Sequence, residues 1–257
     1  MENVDVTVYE FEHLKKDSHI VHGVFTRAGG TSTGPFDSLN IGIESGDEVS
    51  TVADNRKLII RKMGMKPLIF LKQIHGDTIK ILKKEDNDLL RIFEPGKETY
   101  TADAIITDMK DVFLVIQVAD CQSVMLYDPD KKIIANIHSG WRGSVLNIIG
   151  QCLYKMILEF ECRPENILAG ISPSLGPCCS EFINYRNEIP CHLWKFKHKD
   201  KNFFDFWAMS QDQLMEKGVK KENIQNMEIC TKCNTDVFYS YRGEKTTGRF
   251  ACVISMI

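Results

Sequence analysis

Two stretches of this sequence each end on a side chain that can lose a proton and bind a metal. An apolar run ends in Val118-Ala119 and leads through Asp120 into Cys121, and the apolar residues 133–137 lead into His138. A turn around residues 127–129 joins the two runs, so we expect their ends to lie near each other at one edge of a sheet. A thiol beside an imidazole is typical either of a metal site or of a cysteine nucleophile with its base.

A third candidate ligand is His75, which follows the apolar residues 68–71. His75 is 46 residues before Cys121, and His138 is 17 residues after it, so the tertiary fold would have to assemble the site. Three protein ligands of the His/His/Cys type leave the fourth tetrahedral position open, as in catalytic zinc sites. A hydrogen-bonded histidine and a buried thiol are the ordinary alternatives for these residues.

Four further cysteines occur as two pairs. Cys230 and Cys233 form a Cys-x-x-Cys motif, which without a second such motif is at best half of a zinc ribbon, so we attribute it to chance or packing. Cys178 and Cys179 are adjacent, which makes them poor partners for each other, and we expect structural roles for them.

Three arginines, Arg27, Arg142 and Arg249, lie near glycines. A guanidinium group is a planar fork of donors, so each arginine is a candidate for binding phosphate or an oxyanion. A surface salt bridge is the alternative for each. The glycine-rich residues 28–42 lack the Walker lysine and the dinucleotide fingerprint, but they offer backbone donors that suit an anion or a sugar.

Composition limits the class of protein. With 257 residues, 43% hydrophobic and 26% charged, the chain is typical of globular proteins. A net charge of −3 disfavours a nucleic-acid partner. No apolar run approaches the roughly 20 residues that span a bilayer, and we see no secretory signal. Nine cysteines, an odd number, are then expected to be reduced thiols in the cytoplasm.

Apolar periodicity predicts one mixed α/β domain over residues 1–257. Predicted strands cover residues 21–27, 68–71, 78–82, 102–108, 112–118, 133–137, 166–171, 227–230, 238–241 and 248–257, after at most one edge strand in the first 20 residues. Helices are predicted over 47–63, 145–160 and 204–217, the last closed by Gly218. The charged residues 83–100 are expected to form an exposed excursion.

Seven motifs occur along the chain in an order that resembles the laccase-domain (YfiH-like) family of purine nucleoside phosphorylases. They are Thr26-Arg27-Ala28-Gly29-Gly30, Ser38-Leu39-Asn40-Ile41-Gly42, Gln73-Ile74-His75-Gly76, Ala119-Asp120-Cys121, His138-Ser139-Gly140-Trp141-Arg142-Gly143, Ser174-Leu175-Gly176-Pro177-Cys178 and Thr247-Gly248-Arg249. The resemblance implies a layered α/β/β/α fold with mixed sheets, similar to a toxin deamidase. It also implies a zinc held by His75, Cys121 and His138.

The same resemblance implies phosphorolysis of adenosine, inosine, guanosine and 5′-methylthioadenosine, together with adenosine deamination. Purine nucleosides and phosphate are therefore the expected partners, and we expect a monomer or a homodimer. In deamination, Asp120 is our candidate for handling protons. For phosphorolysis, Arg27 and Arg142 are candidates for phosphate, and Asn40 or Gln73 for the sugar or the base.

Copper is the less favoured metal, although the family was once labelled a multicopper oxidase. Such an oxidase needs roughly ten histidines in paired motifs. This chain has seven histidines and no His-x-His pair.

Two other interpretations stay open. One is a metal-free cysteine hydrolase or deamidase with Cys121 as nucleophile and His138 as base. The other is a non-catalytic zinc-binding module, in which a fourth protein ligand such as Cys179 closes the coordination sphere.

Overall fold

The chain folds into two six-stranded β-sheets in the computed structural model, which describes residues 6–64, 66–84 and 98–257. In chain order the strands are β1 (Val8–Tyr9), β2 (Ile20–Phe25), β3 (Leu68–Lys72), β4 (Ile79–Leu82), β5 (Glu98–Thr101), β6 (Ala104–Thr107), β7 (Phe113–Val118), β8 (Gln122–Asp128), β9 (Ile133–Ser139), β10 (Leu168–Ile171), β11 (Ile224–Asn226) and β12 (Phe250–Met256). The helices are α1 (Glu12–Lys15), α2 (Val49–Lys62), α3 (Trp141–Val145), α4 (Ile148–Phe160), α5 (Tyr185–Glu188), α6 (Phe206–Glu216) and α7 (Tyr241–Glu244).

Both sheets are mixed. The first has the order β1-β2-β12-β7-β3-β5, with β3 parallel to both β7 and β5 and the other pairs antiparallel. The second has the order β11-β10-β8-β9-β6-β4, with parallel pairs only at its two edges. The expected fold class, with mixed sheets in one α/β arrangement, is confirmed.

Four layers follow from where the apolar side chains point. On β7, Leu114 and Ile116 pack between the sheets with Met125 of β8, whereas Phe113 packs in the outer core that includes Ile59 of α2. Successive side chains of a strand face opposite sides of its sheet, so a continuous apolar run can feed both cores. Helices α4 and α6 cover the outer face of the second sheet. The predicted strand over residues 112–118 is therefore buried on both faces.

The connection after Val118 differs from the expected one. The run that precedes Cys121 belongs to the first sheet, and the chain then crosses to the second sheet and forms β8. It is β8 that forms a hairpin with β9, in an antiparallel register that pairs Gln122 with Ser139. The two apolar runs are thus not strands of one sheet. The predicted strands do not include β8, because its polar ends, Gln122-Ser123 and Asp128, are typical of a loop.

Other elements also depart from the prediction. Residues 227–230 and 238–241 are not strands, since β11 ends at Asn226 and Tyr241 begins a short helix. The predicted helix over 145–160 is broken at Asn147, whose φ of 56° stops α3 and whose side chain caps α4 by accepting from the Gly150 N–H. Gly218, with a φ of 96°, follows α6 as expected.

Most of the expected excursion over 83–100 falls on residues 85–97, outside the described residues. Its last residues begin strand β5. Within the described parts of the chain, none of the helices is long and apolar enough to cross a membrane.

Candidate functional site

His75 and Cys121 come together because β3 and β7 are parallel neighbours. Parallel neighbours end at the same edge of a sheet, and each of these two residues is the third after its strand. Both connections then cross from the first sheet to the second. The β8–β9 hairpin brings His138 beside them, since Ser123 pairs with His138. As a result, one potential ligand atom from each of the three residues lies within 4.8 Å of the other two.

The backbone around the three residues is tightly constrained. His75 and Asp120 have φ values of 59° and 86°, in the left-handed region that costs a non-glycine residue on the order of 1 kcal/mol. Gly140 follows β9, and a Cβ at this position would lie 2.9 Å from the Cys121 Sγ and 3.3 Å from the His75 Cδ2. A side chain at residue 140 would therefore displace the thiol.

Asp103, just before β6, orients both histidines. Its Oδ1 lies 2.8 Å from His138 Nδ1 and accepts from the backbone N–H of His75 at 2.9 Å, while Oδ2 accepts from the N–H of Gly76 at 2.8 Å. Burial opposes ionisation of Asp103, but these hydrogen bonds hold the pKa of its carboxyl below the ordinary value. Because an ionised carboxylate only accepts, His138 Nδ1 carries hydrogen and Nε2 is left to bind a metal or a thiol.

Cys121 and His138 stabilise charge on each other. Burial raises the pKa of the Cys121 thiol, but His138 and then His75 outweigh it and lower that pKa to about 6. Burial likewise lowers the pKa of His138, but Cys121 and Asp103 raise it to about 9. Each residue of the pair therefore favours the charged form of the other. The thiolate is also the form of cysteine that binds metals.

The donor set fits one metal ion. His138 is buried, Cys121 is partly exposed and His75 is exposed, so one side of the set opens toward solvent. Two imidazoles and a thiolate are donors that zinc accepts, and three protein ligands leave a position free. Cys179, the example given above of a fourth ligand that could close this sphere, has its Sγ in a separate group of thiols.

The three residues line a cavity of about 560 Å³, within the range of small-molecule sites. Its wall combines aromatic rings and two arginines with carboxylates, serines and glutamines. The lining residues include Trp141, Phe182, Phe206, Tyr241, Arg242, Arg249, Gln73 and Gln117. Arg249 is held by donating from Nη1 to the carbonyl oxygens of Thr247 and Gly248, and Arg242 donates to the carbonyl oxygen of Glu181.

Two of the arginine predictions are not brought to the cavity. The Arg27 guanidinium forms an ion pair with Glu244 at 2.8 Å, donates to the Asp37 carbonyl oxygen and lies 4.5 Å from the Tyr239 ring centroid. Arg142 is exposed on α3 and packs over Trp141. Neither lines the wall.

Asn40 and Gln73 have mainly structural contacts. Asn40 is fully buried, and its Oδ1 accepts from the N–H groups of Gly42 and Arg249, so it lies behind the wall rather than in it. Gln73 lines the cavity, but both ends of its amide are bound to the backbone of Gln117.

Asp120 lines the cavity beside Cys121, and its carboxylate accepts three hydrogen bonds from protein groups. Oδ1 accepts from the hydroxyls of Thr231 at 2.7 Å and Ser240 at 2.6 Å, and Oδ2 accepts from the N–H of Arg242 at 2.5 Å. The side chain thereby fastens the connection between β11 and β12 to the Cys121 turn.

Sequence reasoning missed Asp103 and Arg242. Asp103 had a usable signal, since a metal-binding histidine usually donates its second nitrogen to a carboxylate. It lies 35 residues before His138, however, so only the β6–β9 pairing identifies it as the partner. Arg242 directly follows residues 238–241, which predict a strand but form a loop and the start of α7.

The fold and site define a YfiH-like protein. The chain is similar to the crystal structure of Bacillus licheniformis hypothetical protein YfiH, with a TM-score of 0.86, 27% identity, and coverage of 97% of this chain and 96% of that one. It also resembles the crystal structure of YlmD from Geobacillus stearothermophilus, with a TM-score of 0.83, 27% identity, and coverage of 93% and 92%.

Family membership follows from the sequence. The family described as "Multi-copper polyphenol oxidoreductase laccase" matches residues 21–257, and the chain belongs to this family. Purine nucleoside phosphorylase YfiH of Escherichia coli (strain K12) is 31% identical over 240 residues, which cover 90% of this chain and 92% of that protein. The resemblance drawn from the ordered motifs is thus confirmed.

Proposed function

We propose that this protein is a zinc-dependent purine nucleoside phosphorylase that cleaves adenosine, inosine, guanosine and 5′-methylthioadenosine with phosphate. The products would be the free base and ribose-1-phosphate or its methylthio derivative, and adenosine would also be deaminated. The observation that carries the proposal is the His75/Cys121/His138 set, which leaves one coordination position free, in a cavity lined by Arg242, Arg249 and aromatic rings. The name of the Escherichia coli relative supports the same reaction.

Each part of the cavity suits one part of the reaction. His75, Cys121 and His138 would hold the zinc, which supplies Lewis acidity and an open coordination position when bound. Phosphorolysis joins a phosphate oxygen to C1′ while the bond from C1′ to the purine nitrogen breaks, and the departing purine takes up a proton. An anionic phosphate must therefore be placed below the sugar.

Arg249 and Arg242 are our candidates for that phosphate, in place of Arg27 and Arg142. Both line the cavity, and the backbone contacts of Arg249 fix its guanidinium before any ligand arrives. A guanidinium can contact phosphate through two parallel hydrogen bonds. The faces of Trp141 and Tyr241 offer apolar surface for the purine.

Asp120 is better suited to positioning than to proton transfer. Three donors on its two oxygens hold the carboxylate in place. We therefore propose that Asp120 orients Cys121 and Arg242, and that the protons of deamination are handled elsewhere in the cavity.

A multicopper oxidase is disfavoured by the same donor inventory. Such an enzyme needs several histidine-rich copper centres. Among the described residues, one candidate metal site contains histidines, and it contains two of them. One copper ion could use this set, but it would have no partner coppers there.

The test is product analysis with zinc-loaded protein and adenosine, with and without phosphate. We expect adenine and ribose-1-phosphate only when phosphate is present, and inosine in either case. Arg249→Gln should raise the KM for phosphate by about tenfold or more, the effect of losing a charge-assisted hydrogen bond. Arg142→Gln is the matched control and should leave that KM unchanged. Unreacted adenosine in the zinc-loaded protein would contradict the phosphorylase, and equal effects of both variants would contradict the role of Arg249.

A metal-free cysteine hydrolase is the second candidate, favoured by one observation. Cys121, His138 and Asp103 are arranged as nucleophile, base and orienting acid, with 2.8 Å between His138 Nδ1 and Asp103 Oδ1. Iodoacetamide labelling separates the two functions. Rapid alkylation of Cys121 in protein as isolated indicates the hydrolase, whereas protection that disappears on chelation indicates a zinc-bound thiolate.

A further inference from the structure

A second group of thiols lies outside the His75/Cys121/His138 set. The Sγ atoms of Cys178, Cys179, Cys230 and Cys233 all lie within 4.8 Å of one another. Cys178 and Cys179 come from the loop after β10, and Cys230 and Cys233 from the loop after β11. Because β10 and β11 are parallel neighbours, both loops leave the sheet at the same end. The fold therefore joins two pairs that the sequence separates by more than 50 residues.

The spacing of the thiols matches a tetrahedral tetrathiolate site. Zinc–sulfur bonds of about 2.3 Å place the sulfurs of a regular tetrahedron about 3.8 Å apart. The Cys233 Sγ lies 3.7 Å from the Cys178 Sγ and 3.5 Å from the Cys179 Sγ. A disulfide would require about 2.05 Å, so these sulfurs are spaced for a shared ion rather than bonded to each other.

Hydrophobic packing does not account for the group. Cys178 and Cys233 are exposed and Cys179 is half-buried, whereas a cysteine that serves as a small apolar side chain is normally buried. The buried member, Cys230, has its Sγ oriented by the Gly176 N–H at 3.3 Å, a contact that stabilises a thiolate. A Cβ at Gly176 would lie 3.0 Å from the Cys230 Cβ, so the two loops approach as closely as a glycine allows.

We propose that Cys178, Cys179, Cys230 and Cys233 bind one structural zinc ion. Four protein ligands close the coordination sphere, so this ion would have no open position for a substrate. Binding releases protons as the thiols become thiolates, with no change in oxidation state. The inference does not depend on the proposed enzymatic activity, because it concerns separate residues.

The ion would hold one wall of the cavity in place. Ser174, which lines the cavity, forms a parallel bridge with Cys230. Thr231, inside the Cys-x-x-Cys motif, donates to the Asp120 carboxylate beside Cys121. A zinc ion that joins the two loops would therefore fix the position of Asp120 from outside the site.

The proposal is tested by the zinc content of protein purified under reducing conditions without chelators. We expect about two zinc ions per chain in the wild type, and about one in Cys178→Ser/Cys233→Ser. His75→Ala should also retain about one, bound by the thiol group. Cys191→Ser is the matched control, since Cys191 is an exposed thiol outside the group, and it should retain both.

Cobalt substitution provides a second measurement that does not depend on the serine variant folding. Thiolate-to-cobalt charge-transfer absorption grows with the number of thiolate ligands, so Cys121→Ala loaded with Co²⁺ should keep strong absorption from the four-thiolate site. Wild-type protein with about one zinc ion, all of it lost in His75→Ala, would overturn the proposal. A Cys179–Cys233 disulfide in protein prepared under reducing conditions would overturn it as well.

Discussion

Two groups of thiol-containing residues are linked through the hydrogen bond from Thr231 to Asp120, and they differ in ligand number and surroundings. The His75/Cys121/His138 set has three ligands, a buried acid behind it and a cavity in front of it. The four-cysteine group is made of thiols alone and is fastened to the edge of the second sheet. A metal site with an open coordination position is typical of catalysis, whereas a site with four protein ligands is typical of a structural role. Position in the fold distinguishes them further, because His75 and Cys121 both lie on connections that cross from the first sheet to the second, whereas Cys178 and Cys179 lie on a connection within the second sheet.

The largest expected effect comes from removing the thiolate ligand of the first set, Cys121. Cys121→Ala should lower phosphorolysis of adenosine by about a thousandfold, because Lewis-acid stabilisation of several kcal/mol is lost with the ion. Activity and zinc content should be measured together. The zinc of the four-cysteine group should remain, and Cys162→Ala, a buried thiol away from both groups, is the control for loss of a thiol.

A smaller loss is expected from the acid behind the histidines. Asp103→Asn cannot accept all of the hydrogen bonds from His138, His75 and Gly76. We expect zinc affinity at the first set to fall by about tenfold to a hundredfold, measured by competition with a chromogenic chelator. The control is Asp77→Asn, which changes a carboxylate in the turn that contains His75 and Gly76. Unchanged affinity would show that the buried carboxylate does not orient the ligands.

Two glycines allow the groups to be damaged separately. In Gly140→Ala the new Cβ would lie 2.9 Å from the Cys121 Sγ, and in Gly176→Ala it would lie 2.9 Å from Trp207 and 3.0 Å from the Cys230 Cβ. Overpacking of this kind costs about 1–3 kcal/mol. We expect Gly140→Ala to lose zinc from the first set and activity. Gly176→Ala should instead lose the cobalt charge-transfer absorption of the four-cysteine group. Identical effects of the two variants would argue against independent sites.

The smallest effect concerns the contact between the two regions. Thr231→Val removes one of three hydrogen bonds to Asp120 and leaves the other two. A loss of about 1 kcal/mol should lower the midpoint of thermal unfolding by about 2–4 °C. Zinc content should stay the same, and activity should fall by less than about tenfold. A large loss of activity would mean that the Asp120 turn is held mainly through Thr231.

Much of the fold was accessible from local pattern. The apolar run over residues 112–118, the helical spacing in 47–63 and 204–217 and Gly218 identified elements that the structure contains. Local pattern failed where tertiary contacts override it. The polar ends of β8 are typical of a loop, and the aromatic residues around Tyr241 predict a strand although they form a loop and a short helix.

The sequence by itself determined which residues can bind a metal near Cys121. Residue type and position at the ends of apolar runs selected His75, Cys121 and His138, because imidazoles and thiolates are the ligands that zinc prefers. It also disfavours several copper centres, because the chain has seven histidines and no His-x-His pair.

Only the tertiary structure decided which distant residues meet. The parallel pairing of β3 with β7 brings His75 to Cys121, and that of β10 with β11 brings one cysteine pair to the other. Strand order is set by packing of whole sheets, which no local spacing encodes. For the same reason Arg249 faces the cavity while Arg27 is bound to Glu244 behind it, although both arginines stand beside similar glycine-rich turns.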